Sequence, residues 1–150
     1  MKLNVVEYAL RLQIKGHYKL GHLILCFFGI EIPKEVEFKQ VGGGNSVRLV
    51  HRAPGLVIHP KTIIGERVHL YQGVTIGKKN LWAPSSEEGG CEVKNGAILC
   101  PGCKVLFGRN KLIIGEGTII GANAVLFSST GDNEIWAGVP AKKIGERKDK

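Results

Sequence analysis

The sequence predicts a mainly β fold, in which short strands wind into a parallel β-helix after a short N-terminal α-helical segment. Three observations support this prediction: aliphatic residues recur every six positions, glycine often follows them, and small or β-branched residues often lie four positions further along. A period of six fits neither an α-helix, which repeats about every 3.6 residues, nor an alternating strand. It is typical of a solenoid in which each repeat supplies one strand and one turn.

The start of the chain is predicted to form two short amphipathic helices. Apolar residues recur at helical spacing from Tyr8 to Phe28, with breaks at Lys15-Gly16 and again at Gly29. We therefore expect an N-terminal helical segment over residues 1–32 and a β-helix domain over residues 33–150.

The six-residue period is carried by three in-phase runs of aliphatic residues that we expect to point into the β-helix. They are Ile58, Ile64, Leu70 and Ile76; Val93, Leu99 and Val105; and Ile114, Ile120 and Leu126. Glycine and asparagine occur at the predicted corners, where they adopt backbone angles that are costly for other residues. An antiparallel sandwich would instead show period-two alternation.

Two segments depart from the period. Polar, turn-rich residues at about 78–90 predict a loop that projects from the β-helix. A shorter insertion into the repeat separates Val105 from Ile114. Loops on a rigid scaffold often carry functional residues. Lysine and arginine crowd the chain from Lys142 onwards, which predicts a C-terminal basic tail.

Composition narrows the class of protein. A length of 150 residues suits one domain, and the formal net charge of +8 suggests an anionic partner. Zinc-finger spacing and interleaved aromatic and basic residues are missing, so we expect no nucleic acid.

The longest apolar run, Leu20 to Ile30, is too short to span a membrane. Four cysteines and no secretory signal predict reduced thiols and a cytoplasmic location.

Four segments of the sequence occur in a specific order. They are Gly29 to Pro33, Leu49 to Pro60, Leu70 to Gly77, and Ala137 to Ala141. Together they resemble the serine acetyltransferase-like hexapeptide acyltransferases, in particular the short members of that family. The resemblance implies a left-handed parallel β-helix, acetyl-CoA as co-substrate, and a homotrimer with active sites between neighbouring subunits.

Acetyl transfer needs a group that takes a proton from the acceptor and returns one to the departing thiolate. Histidine suits both steps near neutral pH. The resemblance assigns this role to His51. His59 is expected to be a structural corner residue, and His69 is the alternative base. His17 and His22 are expected to be packing or surface residues of the helical segment.

The sequence also departs from the family pattern. Val50 precedes His51 where the family has an aspartate that orients the histidine. A backbone carbonyl, Glu87, Glu88 or Glu92 could supply that orientation instead. The family's second histidine, which follows an arginine at the end of the long loop, has no counterpart here. The acceptor therefore stays open between a sugar, another small hydroxylated molecule such as a serine-like one, and the amine of an amino sugar.

The resemblance also suggests a place for the cofactor. Small residues would let the pantetheine arm lie against the coil backbone, and a lysine would meet a phosphate of CoA. The residues are Gly102, Gly121, Ala122, Ala137 and Lys142. The same glycines can equally be explained as corners of the fold.

The cysteines and the histidines suggest two possible metal sites. Cys100 and Cys103, even with Cys91, leave a tetrahedral zinc site one ligand short, so structural cysteines and no metal are expected. The alternative of a different class is a metal-dependent, carbonic anhydrase-like β-helix trimer. Such a protein would use three histidines across a subunit interface, for which His51, His59 and His69 supply the number.

Overall fold

The structure is a computed structural model that describes residues 4–39, 47–82, 84 and 89–148. It begins with the two predicted helices, α1 (Val5–Ile14) and α2 (Tyr18–Phe27). Asn4 starts α1 with a capping box, because its side chain accepts the Glu7 N–H at 2.9 Å while the Glu7 carboxylate accepts the Asn4 N–H at 3.3 Å. No helix in these residues is long and apolar enough to cross a membrane.

The helices pack closely against each other and against the start of the β-helix. A Cβ atom on Gly21 of α2 would lie 2.5 Å from the Ala9 carbonyl oxygen of α1, so only glycine permits this approach. The buried Gln13 side chain donates to the Ile32 carbonyl at 2.6 Å. Arg48 Nε donates to Glu7 Oε1 at 3.0 Å. The helices therefore cover the first coil of the β-helix.

Short strands follow the helices and carry the six-residue period. They are β1 (Glu37–Phe38), β2 (Arg48–Leu49), β3 (Val57–Ile58), β4 (Thr62–Ile64), β5 (His69–Leu70), β6 (Thr75–Lys78), β7 (Cys91–Val93), β8 (Ile98–Leu99), β9 (Lys104–Phe107), β10 (Leu112–Ile114), β11 (Ile119–Ile120), β12 (Val125–Leu126), β13 (Glu134–Ala137) and β14 (Lys142–Glu146).

The strands form the three flat faces of a triangular prism. Face 1 contains β1, β4, β7 and β10; face 2 contains β2, β5, β8, β11, β13 and β14; and face 3 contains β3, β6, β9 and β12. Neighbouring strands of the described residues pair in parallel, apart from the antiparallel pair β13–β14. Coil 1 is thus β1 to β3, coil 2 is β4 to β6, coil 3 is β7 to β9 and coil 4 is β10 to β12.

The predicted inward-facing residues line the interior of the prism. All ten have an exposed fraction of 0 or 1 %, which confirms the six-residue period. On face 1, for example, Ile64 is in register with Val93, and Val93 with Ile114. Each coil therefore extends a continuous apolar column.

The C-terminal basic tail was a wrong prediction. Residues 142–146 form β14, which pairs antiparallel with β13 along the edge of face 2. Lys143 is fixed there by Glu134 Oε1 at 3.1 Å and Glu146 Oε1 at 2.8 Å. An edge strand has unpaired N–H and C=O groups, so pairing outweighs the preference of the lysines for a free, solvated segment.

The loop predicted at about 78–90 is only partly described, because residues 83 and 85–88 lie outside the described ranges. Lys78 is the last residue of β6, and Leu81 and Trp82 are largely exposed. At the other end Gly89 donates its N–H to the Gly108 carbonyl at 3.0 Å. The return of the chain is thus anchored to the turn between β9 and β10.

The close approach of the helices gives a first prediction. Gly21→Ala should lower the free energy of unfolding by about 1–3 kcal/mol, because the new methyl group meets backbone atoms that cannot rotate away. The better helix propensity of alanine offsets only part of this cost. Denaturant unfolding measures the change. Gly108→Ala is the matched control, since its Cβ would meet nothing within 4 Å; equal loss in both variants would contradict the close-packing explanation.

A second prediction concerns Glu92 of β7, whose carboxylate bridges Lys39 and Lys111 at 2.6 Å each. These hydrogen bonds, from Lys111 first and then Lys39, lower the pKa of Glu92 from 4.5 to about 2. Between these two pH values Glu92 therefore stays ionised in the folded state, whereas in the unfolded chain it is protonated. Its stabilisation is complete above pH 4.5 and is lost as the pH falls towards 2.

Glu92→Gln should accordingly lower the free energy of unfolding by about 1–2 kcal/mol at neutral pH, a value reduced for screening because both lysines are nearly half exposed. The difference from the unsubstituted protein should vanish near pH 2. Unfolding curves recorded across this pH range test it. Glu35→Gln, at an exposed glutamate 4.0 Å from Lys34, should change little at any pH; a constant difference for Glu92→Gln would refute the linkage.

Candidate active site

His51 lies on an enlarged corner of coil 1. Leu49 is in register with Leu70, and Val57 is in register with Thr75. Coil 1 therefore uses residues 50–56 to turn from face 2 to face 3, whereas coil 2 uses only residues 71–74. The extra residues form a short turn that projects His51 into solvent.

The backbone of this turn is strained. His51, Arg52 and Ala53 have φ angles of 52°, 64° and 43°, so three consecutive residues other than glycine are left-handed. Each such residue costs about 1–2 kcal/mol. The turn is held by the Ala53 N–H, which donates to the Val50 carbonyl at 2.9 Å, and by the complete burial of Ala53. Strain of this kind is concentrated at functional sites.

The nearest recorded ring contact of His51 is to Tyr71, the corner residue of coil 2. The ring centroids are 6.0 Å apart and the planes meet at 62°. Tyr71 is partly buried and packs against the core, so it gives the exposed imidazole a firm neighbour. Tyr71 was not among the predicted site residues. The available signal was its position directly after Leu70, which matches that of Val50 after Leu49.

The carboxylates considered as partners of His51 do not fill that role where they can be seen. Glu92 lies on face 1 and is engaged by Lys39 and Lys111, so within one chain it does not orient His51. Glu87 and Glu88 lie outside the described residues. The edge of an aromatic ring, rather than a carboxylate, is therefore the side-chain contact shown for His51.

His51 stands at the top of a column of stacked corners that we call the His51 edge, comprising residues 50–56, 71–74, 100–103, 121–124 and 137–141. Backbone hydrogen bonds of 2.9–3.0 Å connect successive corners. They join Gly73 N–H to Pro54, Gly102 N–H to Gln72, Asn123 N–H to Pro101, and Val125 N–H to Gly138.

Four of the five residues suggested for the cofactor belong to this edge, and the fifth, Lys142, directly follows it as the first residue of β14. Gly102 has a φ of 71°, and a Cβ there would collide with the Asn123 side chain, so the fold itself requires this glycine. A Cβ on Gly121 would lie 3.2 Å from the Cβ of Ala137. Ala122 is exposed, and Lys142 is an exposed residue in register with Ala137. The edge therefore leads from His51 past small residues to a lysine.

The other histidines lie elsewhere. His69 is on face 2, in register with Arg48 and Ile98, and burial together with the charges of Arg48 and Arg147 lowers its pKa. His59 lies at the edge between faces 3 and 1. Its Nδ1 accepts the Lys61 N–H at 3.1 Å, and its ring meets Phe107 edge-on at 5.0 Å.

The helical histidines and the cysteines have local surroundings. His22 stacks on Tyr18 with centroids 5.0 Å apart, and its Nε2 lies 3.4 Å from Cys26 Sγ. All four cysteines are free thiols. Burial raises the pKa of Cys91 and of Cys103 to about 12 and also raises that of Cys100, which disfavours the reactive thiolate. In the described part of the chain, no three metal-binding side chains gather into a site.

Comparison with known sequences shows that the chain is similar to serine acetyltransferases. No family model matches the chain. It is 32 % identical to the serine acetyltransferase of Mycobacterium tuberculosis over 97 residues, which are 65 % of this chain and 40 % of that protein. It is 31 % identical to serine acetyltransferase 4 of Arabidopsis thaliana over 120 residues, 79 % of this chain and 30 % of that protein. The chain thus spans less than half the length of these relatives.

Solved structures give the same result for the fold. The alignment with the serine acetyltransferase of Brucella abortus covers 95 % of this chain and 55 % of that protein, at 25 % identity and a TM-score of 0.71. The alignment with the same enzyme in complex with coenzyme A covers 97 % of this chain and 55 % of that protein, at 24 % identity and a TM-score of 0.73. The predicted handedness is thereby confirmed. The chain therefore forms a left-handed parallel β-helix of hexapeptide repeats, and in sequence and in fold it is similar to serine acetyltransferases.

Proposed function

We propose that the protein is an acetyl-CoA-dependent O-acetyltransferase that acts on a small hydroxylated acceptor, a sugar or a serine-like molecule. The observation that carries the proposal is the His51 edge, in which a strained, exposed histidine heads a column of small residues that ends at a lysine. The similarity to serine acetyltransferases, one of them solved in complex with coenzyme A, supports the choice of co-substrate.

The length of the edge suits the cofactor. Neighbouring coils are about 4.8 Å apart, so the four steps from coil 1 to the β13–β14 turn span about 19 Å. An extended pantetheine arm can cover such a distance. With its phosphate end near Lys142 and its arm along Ala137, Ala122 and Gly102, the thioester would reach the level of His51.

His51 then acts as the general base. It takes the proton from the acceptor hydroxyl while the oxygen attacks the thioester carbonyl carbon, so a C–O bond forms and the C–S bond breaks. The proton passes from His51 to the departing thiolate, which leaves as CoA. The neighbouring Tyr71 ring would limit the orientations open to the imidazole. Transfer is direct and involves no acetylated enzyme.

The acceptor is identified by a screen that follows release of the CoA thiol. Acetyl-CoA is offered with sugars, nucleotide sugars, amino acids including serine, and hydroxylated antibiotics. Transfer to an amino sugar nitrogen would establish N-acetylation in place of O-acetylation. Stoichiometric zinc in the purified protein without affinity for CoA would instead support the carbonic anhydrase-like alternative. We also propose a cytoplasmic location, which the four free thiols would suit.

His51→Ala should reduce turnover by roughly 10²–10⁴ and leave acetyl-CoA affinity and thermal stability nearly unchanged, because only positioned proton transfer is lost. Steady-state kinetics with the acceptor from the screen measure the effect. His59→Ala is the matched control: it removes a turn hydrogen bond and an aromatic contact, so it should lower stability but not turnover per folded molecule. Near-normal turnover in His51→Ala would reassign the base to His69.

Ala122→Phe should raise the KM for acetyl-CoA by at least about tenfold with a smaller effect on kcat, because a bulky ring would block the path of the arm before the thioester reaches His51. Because Ala122 is exposed, the larger side chain should not disturb folding, so a raised KM would report on the path of the arm. Glu116→Phe places the same side chain at an exposed position on the other edge of face 2 and should leave KM unchanged. An unchanged KM in Ala122→Phe would move the arm away from this edge.

The proposed assembly is a homotrimer, because the flat faces of the prism suit a cyclic arrangement and the resemblance implies one. Sedimentation equilibrium should yield a mass of three chains, and dilution below the association range should abolish activity. A monomer that retains full turnover would contradict both the assembly and a site shared between subunits.

A further inference from the structure

The outer side of α2 carries large apolar residues that the described chain leaves uncovered. Leu20, Leu23 and Phe27 have exposed fractions of 54 %, 68 % and 85 %. Their spacing of three and four residues places them on one stripe of the helix. The opposite side of α2 buries Gly21 and Leu25. The helix is therefore apolar on both sides.

A helix that is apolar all round is normally buried all round, and a contiguous exposed apolar patch marks an interaction surface. The inner side of α2 is already satisfied by α1, since Gly21 lies against the backbone of Ala9 and Gln13. The outer stripe contributes nothing to this packing. Among the described residues nothing covers it, so it is available to a partner.

The charge around this stripe indicates what covers it. Between residues 4 and 29 the cations are Arg11, Lys15 and Lys19, and all three are exposed. The single acidic residue in that range is Glu7, which is buried and bound by Arg48 at 3.0 Å. The surface of the helical hairpin thus combines an apolar stripe with positive charge and has no exposed negative charge.

We propose that α2 docks the protein on an anionic lipid bilayer surface. Leu20, Leu23 and Phe27 would enter the boundary between headgroups and acyl chains while Lys19 and Lys15 meet lipid phosphates, as in interfacial amphipathic helices. At ten residues α2 is about 15 Å long, so it lies along the surface and does not span it.

Self-association through the same stripe is disfavoured by charge. A symmetric contact between two copies would bring the same cations on each hairpin into proximity, with no exposed carboxylate between residues 4 and 29 to pair with them. A bilayer with anionic headgroups satisfies the apolar stripe and the cations together. Because α1 contacts β2 and the His51 turn, docking would place that end of the β-helix nearest the lipid.

The test uses the full chain and vesicles of phosphatidylcholine, with or without phosphatidylglycerol. Co-sedimentation should show binding to the anionic vesicles and weaker binding at high salt. Leu23→Gln combined with Phe27→Gln should reduce the partition coefficient at least about tenfold, since two buried apolar side chains are lost. Ile144→Gln, at a similarly exposed residue of β14, is the matched control and should bind normally.

A second pair of variants tests the charge. Lys19→Gln should weaken binding about fivefold. Lys94→Gln makes the same change in net charge at an exposed lysine of coil 3, directly after β7, and should have little effect. The proposal is overturned if the unsubstituted chain does not bind anionic vesicles, or if each control loses as much as its test variant. It is also overturned if sedimentation shows an oligomer that only the Leu23/Phe27 double variant disrupts and vesicle binding is absent, because a second copy then covers the stripe.

Discussion

The narrow apolar interior of the prism is the constraint on which the other features depend. One aliphatic side chain per six residues fills it, as Ile64, Val93 and Ile114 do on face 1. Since each coil must present these residues in register, its corners must also stack in register. The site is consequently built from a column of corners, and its length follows from the number of coils.

The same stacking explains why His51 can be held in a costly conformation. Along the His51 edge, Gly55, Gly73 and Gly102 accept the left-handed backbone that the corner needs, with φ of 73°, 66° and 71°. Asn123 fills the equivalent position in coil 4 with φ of 56°. The enlarged corner of coil 1 places non-glycine residues in this region, and the hydrogen-bonded coils beneath it provide the stability that offsets the strain.

The sequence allowed the repeat to be predicted well because repeats of a solenoid contact only their neighbours, so a local period determines the core. Contacts between residues far apart in the sequence were harder to predict. The ring contact between Tyr71 and His51 depends on which corners share an edge. Glu92 does not orient His51 within one chain, because it lies on face 1 and pairs with Lys39 and Lys111. The strand β14 was missed because its lysines suggested a solvated segment, whereas the open edge of β13 decided the structure.

The two ends of the solenoid are closed in different ways, and this difference bears on the surface of α2. At the C-terminal end β14 covers β13 with hydrogen bonds and charged side chains, among them Lys143 between Glu134 and Glu146. At the other end the helices cover coil 1 with apolar residues. Capping requires only one apolar side of a helix. The stripe through Leu23 and Phe27 exceeds that requirement, so its origin lies in an interaction and not in the stability of the β-helix.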